Sequence, residues 1–476
     1  MRRHARGDGG DAPRDRDVHR AERPAPRRPP LKRLLVLAYF FPPIGGGGCQ
    51  RSLKLVRYLD PLGWTSTVVT ARDPDYWILD PTLLEEVPSS TEVVRARGMT
   101  AHRLLRLLAG GGVAVERRQG GRDPRSFQAL RKLQSWLLIP DGYLPWAREA
   151  ERAAARRIGA GGVDAIWTTS SPESAHLAGK GLKRRFGLPW VADFRDPWVG
   201  RVTYAPPTRW HDGRHRALER AVVEAADRVT LVSEAMVALY RGRYPGVPPE
   251  RFVYVPNGVD SDDWRRADQL APTAASIDEE NRDRGRLVLL HAGQLAHRPT
   301  ARTLLGAVRR VIEADPSAEE WIRLRFLGGN EELLPDDFID LQGIVELKPS
   351  RPHLEALAAM KRAGALVLLG HGGEADSLLY TGKIYEYLTS GRPVLGILDP
   401  GPGADLLRAS GAGPVCSARD EGAAAEAIGR WFSEWRRGGG LSPGAPRRPL
   451  APEWERSAVA ARVAGLLSGL DSRSRK

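Results

Sequence analysis

The feature that most limits what this chain can become is an alternation. Short apolar runs of strand length recur between stretches with helical spacing, in two successive series. The first series opens with Leu31–Ala38, an apolar run without polar alternation, as expected of a parallel strand covered on both faces. Pro42-Pro43-Ile44 and the glycines Gly45–Gly48 follow. Next come Cys49–Leu59, with Leu53, Val56 and Leu59 at helical spacing, and the strand Trp64–Thr70. Strand, glycine loop, helix and strand in that order open a doubly wound fold. Further strands are expected at Ala165–Thr168, Trp190–Phe194, Arg228–Val232 and Phe252–Val255, with helices at Ser174–Phe186 and Arg214–Ala225. The 100–150 region is broken by glycines and yields one helical stretch, Phe127–Leu138.

A polar stretch, Arg265–Gly285, reads as a linker. Beyond it the alternation restarts at Leu287–Ala292 and runs through Ala301–Ala314 (helix), Ile322–Leu327, Gly343–Leu347, His353–Lys361 (helix) and Ala365–Leu369. Ile384–Ser390 (helix), Pro393–Leu398 and Ala423–Trp435 (helix) complete it, and after a Pro/Gly/Arg-rich break a last helix is expected at Trp454–Leu467. The expected class is α/β: two Rossmann-like β/α/β domains, 31–264 and 286–436, facing each other across a cleft. The linker is 265–285, and 437–476 holds the break and a helix packing back toward the first domain. Ligands of such sheets bind beyond the carboxyl ends of the strands.

The length of 476 residues allows two to four domains, and 42% hydrophobic against 27% charged residues excludes global disorder. Residues 1–30 are the exception, a basic tail with too little apolar content to offset ordering entropy. Two distant cysteines, Cys49 and Cys416, exclude a disulfide scaffold and a cysteine-rich zinc module and fit a reducing cytoplasm. No apolar stretch is long enough to span a bilayer, and the N-terminus lacks a signal-peptide core. The net charge of +14 is met by a solvated basic surface, by anionic lipid headgroups or by anionic sugar donors. No zinc finger or recognition-helix pattern supports nucleic acid.

Five segments carry candidate chemistry. Glycines 45–48 let backbone N–H groups approach an anion at a helix N-terminus, with a flexible turn as the plain alternative. The loop is neither a Walker loop nor a dinucleotide fingerprint: no Gly-Lys-Ser/Thr follows, and Gln50 stands where a third glycine is needed. Asp193, Arg195 and Asp196 end a buried strand. They either form an internal salt bridge or place a charge in the cleft. Asp260-Ser261-Asp262 superficially resembles a metal-binding Asp-x-Asp but trails a turn, Asn257-Gly258, into the polar linker, so no metal is expected. His291-Ala292-Gly293 ends the first strand of the second series, and Arg298, before the next helix, is placed for a phosphate or is one more surface arginine. Finally, Thr381-Gly382-Lys383 opens a helix. A lysine in the first turn opposes the helix dipole, so an anion drawn to the same spot explains it. Glu386, at i+3, shares its face, and the pair suits a pyrophosphate and a ribose diol or forms a plain ion pair.

Taken together these segments resemble retaining glycosyltransferase family 4, of the GT-B fold. The resemblance covers most of 31–435. It rests on Phe41-Pro42-Pro43 with Gly45–Gly48 and Arg51; Asp193-Phe194-Arg195-Asp196-Pro197-Trp198; Val232-Ser233-Glu234 leading to Pro256-Asn257-Gly258-Val259-Asp260; Gly293 with Arg298; and Lys383-x-x-Glu386-Tyr387 with Gly391-x-Pro393-Val394. It implies transfer of a sugar from a nucleotide diphosphate-sugar to an acceptor hydroxyl, with retention. Arg298 and Lys383 would hold the leaving diphosphate. Gly46, Gly47, Gly293, Thr381, Gly382 and Glu386 would line the donor, with Glu386 on its ribose. Asp193, Arg195 and Asp196 would face the acceptor. No metal or other cofactor is implied beyond the co-substrate, and the acceptor would be a saccharide, a lipid-linked or a small molecule, reached in the cytoplasm or at the inner membrane face. One departure stands out: the family's first glutamate, eight residues before the second, is Leu378 here, and Glu374 is out of register. A nucleotide-sugar 2-epimerase on the same fold and a non-catalytic nucleotide-sugar scaffold are the alternatives.

Overall fold

The computed structural model describes residues 31–72, 78–98, 133–201, 204–293, 298–328, 337–373, 376–378, 381–438, 440–441 and 451–474. The basic tail, the first half of the expected helix Phe127–Leu138, and Glu374 lie outside the described residues. Two parallel sheets form the two lobes. In the first, β1 (Lys32–Leu37), β2 (Trp64–Ala71), β3 (Glu92–Ala96), β4 (Ala165–Ser170), β5 (Trp190–Phe194), β6 (Arg228–Leu231) and β7 (Phe252–Tyr254) stand in the order β3-β2-β1-β4-β5-β6-β7. In the second, β8 (Leu287–Ala292), β9 (Ile322–Leu327), β10 (Val345–Lys348), β11 (Ala365–Leu369), β12 (Val394–Ile397) and β13 (Val415–Cys416) stand in the order β10-β9-β8-β11-β12-β13. The α/β class of two Rossmann-like units is thus the observed one.

The apolar runs became strands because both faces are covered. Leu34, Leu35, Val36 and Leu37 of β1 are fully buried, as are Ala365, Leu366 and Val367 of β11. Each such leucine or valine contributes about 1.5–3 kcal/mol on burial. In each sheet the strand order reverses between the first strand and the fourth: at β1/β4 and at β8/β11. A crevice opens beyond the strand ends at such a reversal, and both crevices receive the candidate residues.

The expected polar linker is mostly helical. Helices Ser261–Asp268 and Ala274–Asp283 are capped by Asp260 and Thr273, whose side chains accept from the N–H groups of Asp262 and Ser276. Trp264 and Ala267 supply the buried face of the first. Strand β3 was not anticipated: it is an edge strand with exposed Glu92 and Arg95, so it lacks the continuous apolar run of its neighbours. The C-terminal helix, Arg456–Ser474, returns to the first lobe. Its Val459, Ala460, Val463 and Leu467 share a core with Leu53, Val56 and Leu59 of the helix Gly47–Leu59. It enters beside Val259, which donates its N–H to Trp454 O at 2.9 Å and accepts from Arg456 N at 2.8 Å. Among the described residues no helix is long and apolar enough to cross a membrane.

Candidate active site

Strand β8 delivers His291 to the crevice of the second lobe. The imidazole is fully buried, with Nδ1 2.9 Å from Val367 O. A carbonyl only accepts, so Nδ1 carries the proton and Nε2 is an acceptor. That acceptor faces Lys383 Nζ at 3.2 Å. The lysine reaches it by passing over Gly293, whose φ is +103°. A Cβ there would lie 2.5 Å from Lys383 Cε, so the position requires glycine twice over, for its backbone angle and for this crossing. Tyr387, on the helix Lys383–Thr389, accepts the Ala292 N–H at 2.7 Å and fixes the end of β8. Burial pushes the Lys383 ammonium down to about 8, against the pull of Glu386.

The loop after β11 closes the other side. Asp376 accepts from the N–H groups of His371, Gly372 and Asp399 at 2.8, 3.1 and 3.0 Å. Thr300 Oγ1 donates to Gly370 O at 3.0 Å, tying the helix Arg298–Ala314 to this loop. Arg298 therefore opens a helix at the same crevice; its side chain lies outside the described residues. Thr381 and Gly382 precede Lys383, and the buried Thr381 hydroxyl has no hydrogen-bond partner among the described residues.

Glu386 lies one turn beyond Lys383, in a pocket between the lobes that Gln50, Lys54, Asp263, His353 and Arg456 also line. Burial raises its carboxyl, while His353, Arg456 and Lys383 act the other way.

In the first lobe the glycine loop is near its expected partners. Gly46, with φ +86°, precedes the helix Gly47–Leu59, and the space around Gly47 is open. A Cβ on Gly48 would collide with the Arg195 guanidinium. Arg195 donates to Ser170 O and, at 2.8 Å, to Ser171 O, and lies over the Phe40 ring at 5.6 Å. Asp196 is half-buried on the same loop.

Asp193 requires a correction. It does not face the cleft: it is fully buried and accepts from Arg51 Nε and Nη2 at 2.8 and 2.6 Å, from Thr169 at 2.8 Å and from Thr230 at 2.7 Å. Burial alone would raise its carboxyl, but Arg51 and the two hydroxyls hold it below the usual carboxylate range. Arg51 also donates to Val255 O, Pro256 O and Asn257 Oδ1 at 3.0, 2.9 and 3.2 Å, so the pair builds the exit from β7. The internal salt bridge is real, but its cation is Arg51, not Arg195.

Several residues of the crevice were not singled out from sequence. His291 was noted only as part of its strand end. Glu173, in the loop after β4, pairs with Arg201 and accepts from Ser171 Oγ at 3.2 Å. Burial, with Glu173 nearby, pushes Asp141 up to about 6. The available signal was Ser170-Ser171-Pro172-Glu173 straight after a buried strand. The lobes touch where Ser233 Oγ donates to Leu378 O at 2.6 Å. Leu378 packs on the core of the first lobe.

With this geometry in view, the known relatives are informative. Residues 98–263 match the model of Glycosyltransferase Family 4. The match lies within the first lobe, from ahead of β4 to beyond β7. The whole chain also resembles solved GT-B structures. Sucrose-phosphate synthase from Thermosynechococcus elongatus superposes with a TM-score of 0.60 at 16% identity, covering 93% of this chain and 100% of that one. The UDP-forming α,α-trehalose-phosphate synthase from Burkholderia vietnamiensis gives 0.60 at 12% identity, over 93% and 100%. UDP-GlcNAc 2-epimerase from Methanocaldococcus jannaschii gives 0.52 at 11% identity, over 92% and 99%. At these identities the likeness is one of fold. No curated protein sequence matches the chain. The family match in the first lobe and the GT-B fold of the whole chain agree with one another.

Proposed function

We propose that the chain transfers a sugar from a nucleotide diphosphate-sugar to an acceptor hydroxyl with retention of anomeric configuration. The observation that carries this reading is Lys383, held over Gly293 by the neutral face of a buried histidine at the reversal point of the second sheet. A cation in that position meets the diphosphate oxygens as the glycosidic bond breaks. Arg298, opening the next helix at the same crevice, is the second cation. Electrostatic stabilisation of this kind is worth about 3–4 kcal/mol per donor group. The two cations take the role a metal would otherwise fill, and a departing phosphate oxygen receives the acceptor proton. Asp260 and Asp262 are committed elsewhere, to Lys54, Tyr58 and Arg57. Glu386 takes the ribose hydroxyls, the glycines at 46 and 47 approach the donor from the first lobe, and Arg195 with Asp196 borders the acceptor. Closure of the lobes excludes water and limits hydrolysis.

The acceptor class we propose is a saccharide, a lipid-linked or a small molecule, in polysaccharide or glycoconjugate assembly. The basic surface suits an anionic membrane face. The deciding experiment is a thermal-shift panel of UDP, GDP and ADP and their sugars, since a ligand that binds the native state stabilises it. A shift with one nucleotide family and its sugars is expected; no shift with any of them would refute the donor assignment. Because an epimerase shares the fold, the donor that binds is then incubated alone. Epimerised sugar in the absence of acceptor would favour that second activity.

A further inference from the structure

Beside the leaving-group site, a buried cluster of charges spans the junction of the lobes. Lys54, on the helix Gly47–Leu59, is 1% exposed, and its ammonium lies 2.5 Å from Glu86, 2.8 Å from Asp260 and 2.5 Å from Asp263. One cation is thus shared among three carboxylates. Asp263 finds a further donor across the junction, His353 Nε2 at 3.3 Å. The same nitrogen is 4.0 Å from Glu386 Oε1. His353 is the first residue of the helix His353–Arg362, and its backbone N–H donates to Asp80 Oδ2 of the first lobe at 2.8 Å.

A positive charge in the first turn of a helix is disfavoured by the dipole. Here the surroundings reverse that preference. The charged groups that face His353 are the carboxylates Asp80, Asp260, Asp263 and Glu386, against the cations Lys54 and Arg456. Burial alone would lower the imidazole, but Asp263 and Glu386 outweigh it and hold the group above the ordinary histidine range.

Resting on the reading of Glu386 as the donor-side carboxylate, we propose that His353 is the positioning residue for Glu386 and couples donor binding to the contact between the lobes. An imidazolium between Asp263 and Glu386 keeps Glu386 ionised and aimed, so that its oxygens are ready for the donor hydroxyls. Asp263, itself held by Lys54, fixes the imidazolium in turn, so the donor-side helix senses where the first lobe stands. As pH rises through the raised value of His353 the charge is lost, Glu386 loses one of the cations that favour its ionised form, and donor affinity falls.

The test is calorimetry of UDP, GDP and ADP with the full chain and its His353→Gln variant between pH 6 and pH 9. The nucleoside diphosphate that binds best is expected to bind the variant about tenfold more weakly at pH 6. The ratio should shrink as pH rises, because the parent then loses the same charge. A ratio below twofold at pH 6, or one that does not change with pH, overturns the proposal; a merely structural role gives the constant ratio. If none of the three binds the parent, the donor reading fails, and the coupling is judged on a second measurement. In that measurement the His353 side chain is titrated by NMR in the parent and in Glu386→Gln, its signal assigned by its loss in His353→Asn or His353→Gln. A drop in its pKa in Glu386→Gln is expected, and an unchanged titration overturns the coupling whatever the ligand.

Discussion

The two crevices are built on the same strand reversal and treat charge in opposite ways. In the first lobe, Asp193 is surrounded: an arginine fork and two hydroxyls satisfy both oxygens. Its field is spent inside the protein. In the second lobe, Lys383 leans on a neutral imidazole and stays half-buried at the crevice mouth, its proton held less tightly than an ordinary lysine's. A buried ion pair with every lone pair met is architecture. A cation carried to the open end of a strand reversal, its proton loosened by burial, is placed to receive an anion.

That contrast is open to attack at four points. The largest effect is expected for Asp193→Ala, which strands Arg51 in the interior. Stability measured by denaturant melts should fall by about 3–5 kcal/mol, while the folded fraction keeps its nucleotide affinity within about threefold. A large loss of affinity would return Asp193 to the cleft. Lys383→Ala should do the reverse: turnover down by about 100-fold or more, or 3–4 kcal/mol of transition-state stabilisation, with the melt little changed. Third, nucleotide affinity should decline by up to about tenfold per pH unit above roughly pH 8, because the folded-state value of Lys383 is lowered and the cation is lost as pH rises through it. Lys383→Arg should make that limb shallower, leaving the part that follows His353, since a guanidinium stays charged. The smallest effect belongs to Gly47→Ala. No atom lies within 4 Å of the added methyl, so stability should move by less than about 0.5 kcal/mol. Turnover should fall several-fold if the loop meets the donor, and steady-state kinetics would read the difference.

Much of this was legible in the residues. The strands of both lobes were found because a doubly covered strand must be apolar throughout. What escaped detection includes β3 and the two-residue β13, both at sheet edges, the helices Leu144–Gly159, Glu234–Arg243 and Pro402–Ser410, and the two capped helices of the polar junction, the first with a buried apolar face as small as Trp264 and Ala267. In the site, Lys383 and Glu386 were readable from helix phase and dipole. Asp193 was misplaced because a strand-end carboxylate looks the same in sequence whether its partner is three residues away or, like Arg51, 142 away. The same distance hid His353, whose carboxylates come from two other helices.

The return of the chain at Val259 and Arg456 bears on motion. A lobe hung from a single thread swivels about any axis, but two threads bonded side by side act like two pins of a door. They leave one line of rotation and suppress sliding and twisting. Each opening of such a door would bring the same pairs of atoms back into register.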